Sequence, residues 1–263
     1  MKSARSLMST GRRSRAAWKW PAIFAAAIVM MYAVYSLSYP TTSYRFKITL
    51  SVETPEGLKS GSSVMEVRTR RYPAWTTLGQ STGDSHLTGQ AVFVDLGPTR
   101  DGKPQNLVAL LTLGARGENP NLHFLPGEAF EPLWKQRQAS PGFRGASSEL
   151  PKLPPGTKAE LRGKLIPTLV TFEDMNDPKT ARVVQPDGFT KVFGAGVTLQ
   201  SATIEIVPAG TWPLTLLGVG GEPVTQGIER KLVWWSGPGR PAEAALRAAD
   251  LYLGEPELAF KRD

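Results

Sequence analysis

The sequence predicts a mainly β protein, a sandwich or a distorted barrel, with an N-terminal transmembrane helix and a short C-terminal helix. Residues 21–39 form an apolar run without a charged residue, which is typical of a membrane span. Apolar and polar residues alternate from Tyr44 onward, as they do in a half-buried strand. Residues 241–253 are rich in alanine, which favours a helix.

The apolar run PAIFAAAIVMMYAVYSLSY reaches roughly 28 Å as a helix, close to the hydrocarbon thickness of a bilayer. Residues 1–20 contain six Lys and Arg and no acidic residue. By the positive-inside rule this basic segment stays in the cytoplasm, so the domain that follows lies across the membrane. The sequence therefore predicts residues 1–20 as a cytoplasmic N-terminus and residues 21–39 as a membrane-spanning helix.

Two other interpretations of the apolar run are weaker. A buried core helix would carry a polar stripe, which this run lacks. A cleaved signal peptide is the stronger rival, because Ser36 and Ser38 have the spacing of a cleavage site before Tyr39. We favour a retained anchor, because the run is long for a signal peptide and Tyr39-Pro40 would follow the cut directly.

The net charge of +8 comes from the N-terminal segment. Eight of the 31 Lys and Arg lie in residues 1–47, which contain no acidic residue, so residues 48–263 carry 23 charges of each sign. The basicity indicates topology and attraction to anionic lipid headgroups, and it gives no support to nucleic-acid binding. The chain has no cysteine, which excludes disulfides, thiolate catalysis and Cys-ligated metals. We predict a single-pass protein of a bacterial inner membrane with a periplasmic C-terminal domain.

The first strands are predicted to form a hairpin. Tyr44–Glu53 alternates over ten residues, and a turn joins it to a second alternating segment, Ser62–Arg70. Residues 72–89 are rich in Thr, Ser and Gly, which predicts a long loop with Trp75 and Leu78 as its tethers.

Two apolar segments, Ala91–Leu96 and Leu107–Leu113, are predicted to be the central strands, because strands covered on both faces are apolar at nearly every position. Residues 114–157 contain scattered prolines, which predict an irregular excursion with at most one short helix, within residues 127–138.

The C-terminal half returns to short strands and turns. Strands are predicted within 158–172, with a break at Pro167, and at 197–207, where the apolar face slips by one residue as in a β-bulge. The remaining predicted elements are a short helix at 187–193 closed by Gly194, edge strands at 213–217 and 231–235, and a helix at 241–253 closed by Gly254. These elements define a β-rich periplasmic domain at 40–239 and a helical tail at 240–263.

Five sequence blocks resemble a family of uncharacterised bacterial membrane-anchored proteins. The blocks are YRFKITLSVETPEG (44–57), TGQAVFVDLG (88–97), LVTFEDMNDPK (169–179), FGAGV (193–197) and EPVTQGIERKL (222–232). The resemblance covers much of residues 40–235 and leaves the helical tail outside. It implies an N-terminal hydrophobic segment followed by a β-rich domain, and it implies no activity and no site residue.

The triplet GDS at 83–85 resembles the nucleophile block of GDSL-type hydrolases. A nucleophilic serine needs a base, and the chain has two histidines, His86 and His123. Pro120 stands where that family would have an aspartate, three residues before the histidine. We therefore favour a polar turn over a catalytic site at Ser85.

Four oxygen donors, Glu173, Asp174, Asn176 and Asp177, lie within five residues and are candidates to bind a hard cation such as Ca²⁺. Their spacing lacks the Asp-x-Asp-x-Asp-Gly pattern and the distal Glu of a Ca²⁺ loop. A strand end followed by a helix N-cap explains Asn176 and Asp177 without a metal. We favour capping.

The sequence favours a non-catalytic function. The glycine-rich segments 194–196 and 218–221 do not lead from a strand into a helix, as a dinucleotide loop does, so no cofactor is predicted. The leading hypothesis is a tethered interaction or accessory domain, with the lipid bilayer and an envelope protein as partners. The alternatives are a periplasmic hydrolase that uses Ser85 with His86 or His123, and a small-ligand site in an apolar cavity of the β domain.

Overall fold

A computed structural model describes residues 19–39, 41–73, 75, 83–99, 102–136, 149–210, 220–232, 234, 241–253 and 256–263. The chain divides into two compact units, which are Met1–Pro40 with Arg71–Thr82, and Thr41–Arg70 with Gly83–Asp263. In the first unit, α1 (Lys19–Ser38) is an apolar helix of 20 residues. Its segment Pro21–Ser38 has a mean hydropathy of 1.7 and no buried residue, which fits a membrane anchor or a signal sequence.

The second unit is mainly β, as predicted. Its described strands are β1 (Thr42–Thr54), β2 (Gly57–Arg71), β3 (Gly83–Gln90), β4 (Val92–Pro98), β5 (Pro104–Leu113), β6 (Lys158–Glu160), β7 (Pro167–Phe172), β8 (Ala181–Val184), β9 (Thr198–Val207) and β10 (Lys261–Arg262). They form a first sheet in the order β10-β3-β2-β1-β9-β6 and a second sheet in the order β4-β5-β7-β8. Within the described residues the two antiparallel sheets do not close into a barrel, and they share one hydrophobic cluster, as the sheets of a sandwich do.

Several short helices connect the strands. The α-helices are α2 (Leu125–Ala129), α3 (Glu131–Gln136), α4 (Phe189–Phe193), α5 (Pro241–Ala248) and α6 (Pro256–Phe260), and the 3-10 helices are Leu122–Phe124, Leu150–Lys152, Gly163–Leu165, Pro178–Thr180 and Ile228–Arg230. The short C-terminal helix and the helix closed by Gly194 are thus present. Gly194 follows α4 with a φ of 98°, a conformation that favours glycine.

The first sheet is built around the β1–β2 hairpin. The two strands pair in antiparallel register from Thr42 opposite Thr69 to Thr54 opposite Gly57. On its other edge β1 pairs with β9, and the register shifts so that Gln200 has no partner in β1. This shift is the β-bulge that the slipped apolar pattern of residues 197–207 predicts.

The main core lies between the two sheets. Inward side chains of the first sheet, such as Phe46, Ile48 and Ile204, share one hydrophobic cluster with Val94 and Leu107 of the second sheet. All five are fully buried. The strict alternation of β1 arises here, because only one face of the first sheet meets this core.

The irregular excursion at 114–157 also contributes to this core. Among its described residues, Leu122, Leu125 and Phe130 are at most 1% exposed. All three belong to the cluster between the sheets. The segment contains α2, α3 and two 3-10 helices, so the prediction of at most one short helix was wrong. Its prolines limit each helix to one or two turns, and the apolar residues between them pack inward.

A second cluster covers the other face of the second sheet. It joins Leu110 of β5 and Phe172 of β7 to side chains of the C-terminal segment, including Leu246 and Phe260. The rings of Phe172 and Phe260 lie 6.3 Å apart, and Trp234 meets Phe260 edge-on at 5.5 Å. Residues 241–263, predicted as a helical tail, thus form a layer on the second sheet.

Helix α5 ends at a residue that the sequence did not single out. Asp250 has a φ of 65°, and the N–H of Leu251 donates to the carbonyl of Leu246 at 3.0 Å. The N–H of Asp250 donates to the carbonyl of Arg247 in the same way. This is the Schellman arrangement with aspartate in the place of the usual glycine. The predicted stop, Gly254, lies outside the described residues.

Three predictions about the strands were wrong. Residues 83–89 were predicted as loop but belong to β3. Pairing with β2 and β10 keeps this polar segment, GDSHLTGQ, in a strand. Trp75 is 78% exposed, so its side chain does not act as a tether among the described residues, while Leu78 lies outside them. Among the described strands, β4 lies at the edge of the second sheet with Asp95 exposed, although its sequence is nearly as apolar as that of a central strand. Strand pairing, and not local propensity, decided the positions of β3 and β4.

The edge strands predicted at 213–217 and 231–235 are not found in the described residues. Residues 231–232 lie outside any strand and follow the 3-10 helix Ile228–Arg230, so this prediction was also wrong. The segment is held by side-chain packing, since Leu232 is fully buried in the second cluster. Residues 213–217 lie outside the described part of the chain.

Candidate functional site

Strand β3 separates Ser85 from its neighbouring histidine. Ser85 and His86 occupy consecutive positions of the strand, so their side chains point to opposite faces of the sheet. The hydroxyl of Ser85 lies 3.0 Å from the hydroxyl of Thr69 on β2. The Nε2 atom of His86 lies 2.5 Å from the main-chain oxygen of Asp263. The two side chains therefore have different partners and do not form a nucleophile–base pair.

His123 lies in the 3-10 helix Leu122–Phe124 and is half-buried. Burial is the main cause that lowers the pKa of His123, to about 4, and the positive charge of Arg262 acts in the same direction. The carboxylate of Asp84 acts in the opposite direction. A general base works best when its pKa lies near the operating pH, so this imidazole is poorly matched to hydrolysis at neutral pH.

The acidic segment at 173–177 is held by its own hydrogen bonds and by one ion pair. Glu173 pairs with Arg182 of β8. The Oδ1 atom of Asp174 accepts hydrogen bonds from the main-chain N–H of Asn176 at 2.8 Å and from its side-chain amide at 3.1 Å. These contacts shape the turn that follows β7.

Asp177 acts as a helix cap. Its Oδ1 atom accepts a hydrogen bond from the N–H of Lys179 at 2.9 Å, at the start of the 3-10 helix Pro178–Thr180. Within the described ranges, no three His, Cys, Asp or Glu come close enough together to hold a metal ion. The geometry thus gives each of these four side chains a structural partner.

A cleft of about 450 Å³ opens at the end of the sandwich where β1 turns into β2. Three connections line it: the turn at 54–56, the β4–β5 segment at 96–99 together with Gln105, and the loop at 193–197 between α4 and β9. The volume lies in the range of ordinary small-molecule sites. The cleft is the candidate functional site of the domain.

The loop after α4 forms one wall of the cleft because of its glycines. Gly194 and Gly196 have φ values of 98° and 85°, which ordinary side chains rarely adopt. Gly196 also lies against the β1–β2 turn, since a Cβ atom at this position would be 3.2 Å from the Cγ of Pro55. A side chain here would push the loop and the turn apart.

The lining of the cleft is mainly apolar, with a few polar groups. Leu96, Phe193 and Val197 line it with side chains that are otherwise buried. The amide of Gln105 donates from Nε2 to the carbonyl of Phe193 at 3.3 Å, which leaves its Oε1 atom as an acceptor. Glu56 carries a mostly exposed carboxylate 3.4 Å from the ammonium of Lys59. Among the described residues, the polar side chains of the lining are Thr54, Glu56, Thr99 and Gln105.

Comparisons with known proteins give no relative from which a function could be inferred. No family model matches the chain, and neither a curated protein nor a solved structure matches it.

The sequence predicted a turn after Tyr44–Glu53 and a helix stop at Gly194, but it did not predict that these segments meet the β4–β5 connection. They lie in the blocks YRFKITLSVETPEG and TGQAVFVDLG, in the link after the second block, and in FGAGV. Each block contains glycine or proline beside a strand end, which is a turn signal. Their meeting at one end of the sandwich depends on strand order, which such local signals do not contain.

Proposed function

We propose that the protein is a non-catalytic accessory protein of the bacterial cell envelope, tethered to the inner membrane by α1 with its β domain in the periplasm. The observation that carries this proposal is α1, whose segment Pro21–Ser38 is apolar on all sides and has no buried residue. Such a helix needs an apolar environment, and a bilayer supplies one. The six basic residues before it favour a cytoplasmic N-terminus.

The polar side chains of the domain support a role without catalysis. The hydroxyl of Ser85 contacts Thr69, and the acidic residues at 173–177 shape a turn and cap a helix. The cleft at the β1–β2 turn combines an apolar lining with a single amide acceptor and a carboxylate at its edge. Such a surface recognises a partner or ligand by shape and by a few hydrogen bonds.

Membrane extraction and N-terminal mass spectrometry test the tether. We expect the full chain to resist extraction by alkaline carbonate and to retain the peptides before Tyr39. A variant with Val29→Arg and Met30→Arg, two positions in the middle of α1, should lose membrane retention because charges at the bilayer centre are costly. A carbonate-soluble wild-type chain that begins at Tyr39 would show a cleaved signal peptide and would end the tether proposal.

The cleft favours a second candidate function, the binding of a small, mainly apolar ligand. Ala195 lines the cleft, so Ala195→Trp should fill it, whereas Val192→Trp changes an exposed residue of α4 that does not line it. Mass spectrometry of small molecules that copurify with the full chain would compare both variants with the wild type. A ligand present in the wild type and in Val192→Trp but absent in Ala195→Trp supports the site. Identical ligand content in all three proteins argues against it.

A further inference from the structure

The connection that follows β2 carries exposed groups of the kind found at membrane surfaces. Arg71, Tyr72 and Trp75 lie within five residues, and of the three Tyr72 is half-buried. The side chain of Trp75 is 78% exposed, and Arg71 is exposed at the end of the strand. Indole and phenol rings favour the headgroup region of a bilayer, and a guanidinium group pairs with lipid phosphates. An exposed tryptophan of this kind leaves a large apolar ring in water unless another surface covers it.

The same connection belongs to the unit that contains α1. Residues 71–82 and residues 1–40 form one compact unit of the chain. This placement agrees with the length of the chain between the helix and the sheet. Thr42 begins β1 four residues after Ser38 ends α1, and an extended chain covers at most about 3.5 Å per residue. A helix anchored in a bilayer therefore keeps Thr42 within roughly 14 Å of its end.

The hairpin register brings the connection to this end of β1. Thr42 pairs with Thr69, and Arg71 follows Thr69 by two residues. The other end of the hairpin, with the cleft, lies twelve positions further along β1 at Thr54, or roughly 40 Å away for an extended strand. The two ends of the hairpin are thus distinct surfaces, and only one of them starts where the chain leaves α1.

We propose that Trp75 inserts as an apolar anchor into the headgroup layer of the membrane that holds α1, and that Arg71 binds the phosphates of anionic phospholipids there. The proposal rests on the membrane tether proposed above.

The absence of cysteine from the chain makes single-cysteine labelling a direct test. A naphthalene fluorophore is attached to the full chain through Trp75→Cys, so that a ring system of similar size replaces the indole. Two control positions are labelled in separate variants, Val29→Cys in α1 and Leu58→Cys, which is 59% exposed at the cleft end of the hairpin. All three proteins are reconstituted in vesicles of phosphatidylethanolamine and phosphatidylglycerol.

Quenching by nitroxide lipids and by aqueous iodide then locates each label. We expect the label at position 75 to be quenched by headgroup nitroxides, the label at 29 by acyl-chain nitroxides, and the label at 58 by iodide alone. A label at 75 that behaves like the label at 58, while the label at 29 is in the bilayer, overturns the insertion and leaves the tether intact. A label at 29 that iodide reaches overturns the tether itself.

The role of Arg71 is tested in the same background. Adding Arg71→Gln to the variant labelled at position 75 removes one positive charge, which should lower the equilibrium constant for insertion of the label into the headgroup layer of anionic vesicles about fivefold. The headgroup quenching of the wild-type Arg71 protein should fall by a similar factor when phosphatidylcholine replaces phosphatidylglycerol. Quenching that is insensitive both to lipid charge and to Arg71→Gln would overturn the assignment of anionic phospholipid to this residue.

Discussion

The two sheets of the domain differ in what covers their outer faces. In the second sheet, every residue of β5 from Asn106 to Leu113 and every residue of β7 is buried, because the first sheet covers one face and the C-terminal segment covers the other. In the first sheet, β1 alternates between fully buried residues and half-buried polar ones. The second sheet is therefore the central layer of the domain, and the first sheet presents a polar face.

The outer face of the first sheet carries several ion pairs. The Nε atom of Arg45 lies 2.8 Å from the carboxylate of Glu66, and the ammonium of Lys47 lies 3.1 Å from Glu222 and 3.8 Å from Glu205. The side chains of Arg45 and Glu66 are only 15% and 12% exposed. The desolvation cost of a partly buried ion pair offsets most of its attraction, whereas buried apolar side chains stabilise the fold directly. We therefore expect most of the stability of the domain to come from the second sheet and the C-terminal segment that covers it.

The largest expected effect comes from removing that cover. Phe260→Ala deletes a fully buried ring that packs on Phe172 and Trp234, and we expect a loss of about 3–5 kcal/mol in the free energy of unfolding. Denaturant unfolding of the full chain measures it. Thr49→Ala, on the polar face of the first sheet, is the matched control and should cost less than about 1 kcal/mol. Equal losses at the two positions would contradict the comparison.

A buried hydrogen bond inside the second sheet gives the next effect. The side chain of Asn106 donates to the carbonyl of Phe172 at 2.7 Å and accepts from its N–H at 3.0 Å. Asn106→Ala leaves both main-chain groups without these partners, and we expect a loss of about 2–3 kcal/mol in the free energy of unfolding. Gln105→Ala, at the neighbouring half-buried position, is the control for a general effect on β5. A loss at Asn106 no larger than at Gln105 would show that water or another group replaces the bonds.

The third effect depends on pH and concerns His123, which lies next to β3 of the first sheet. Its pKa is lowered to about 4, mainly by burial, so between roughly pH 6.5 and pH 4 the unfolded state binds a proton that the folded state does not. Stability should therefore fall as the pH falls through this window. After allowance for partial exposure we expect a loss of about 1–2 kcal/mol.

Unfolding curves measured at several pH values check this expectation. His123→Gln should remove this part of the pH dependence, whereas His86→Gln, on an exposed position of β3, should preserve it. A pH dependence that is unchanged in His123→Gln would assign the effect to the carboxylates.

The smallest effect is expected at the ion pairs of the first sheet. A double-mutant cycle with Arg45→Met and Glu66→Gln should give a coupling energy of about 0.5–1 kcal/mol, because desolvation of these partly buried side chains offsets most of their attraction. Added salt should change this coupling little, since a partly buried pair is weakly screened. The cycle is measured by denaturant unfolding, in the same way as Phe260→Ala. A coupling of several kcal/mol would mean that the polar face supports the fold as strongly as the buried layer does.

Local patterns in the sequence predicted much of the fold. The alternation from Tyr44 to Glu53 predicted β1, and the slipped apolar pattern of residues 197–207 predicted the bulge at Gln200. The turn chemistry of Asp177 and Gly194 predicted a helix cap and a helix stop. These features depend on residues that are near one another in the chain, so the sequence alone is sufficient to locate them.

The tertiary structure alone decided the rest. It placed β3 in the first sheet despite its polar residues, made the apolar β4 an edge strand, and brought Gly196 against Pro55 to form the cleft. It also showed that the apolar faces of β5 and β7 are covered by residues 241–263. The physical reason is that periodicity shows whether a face must be buried, whereas the element that buries it depends on contacts between residues far apart in the chain.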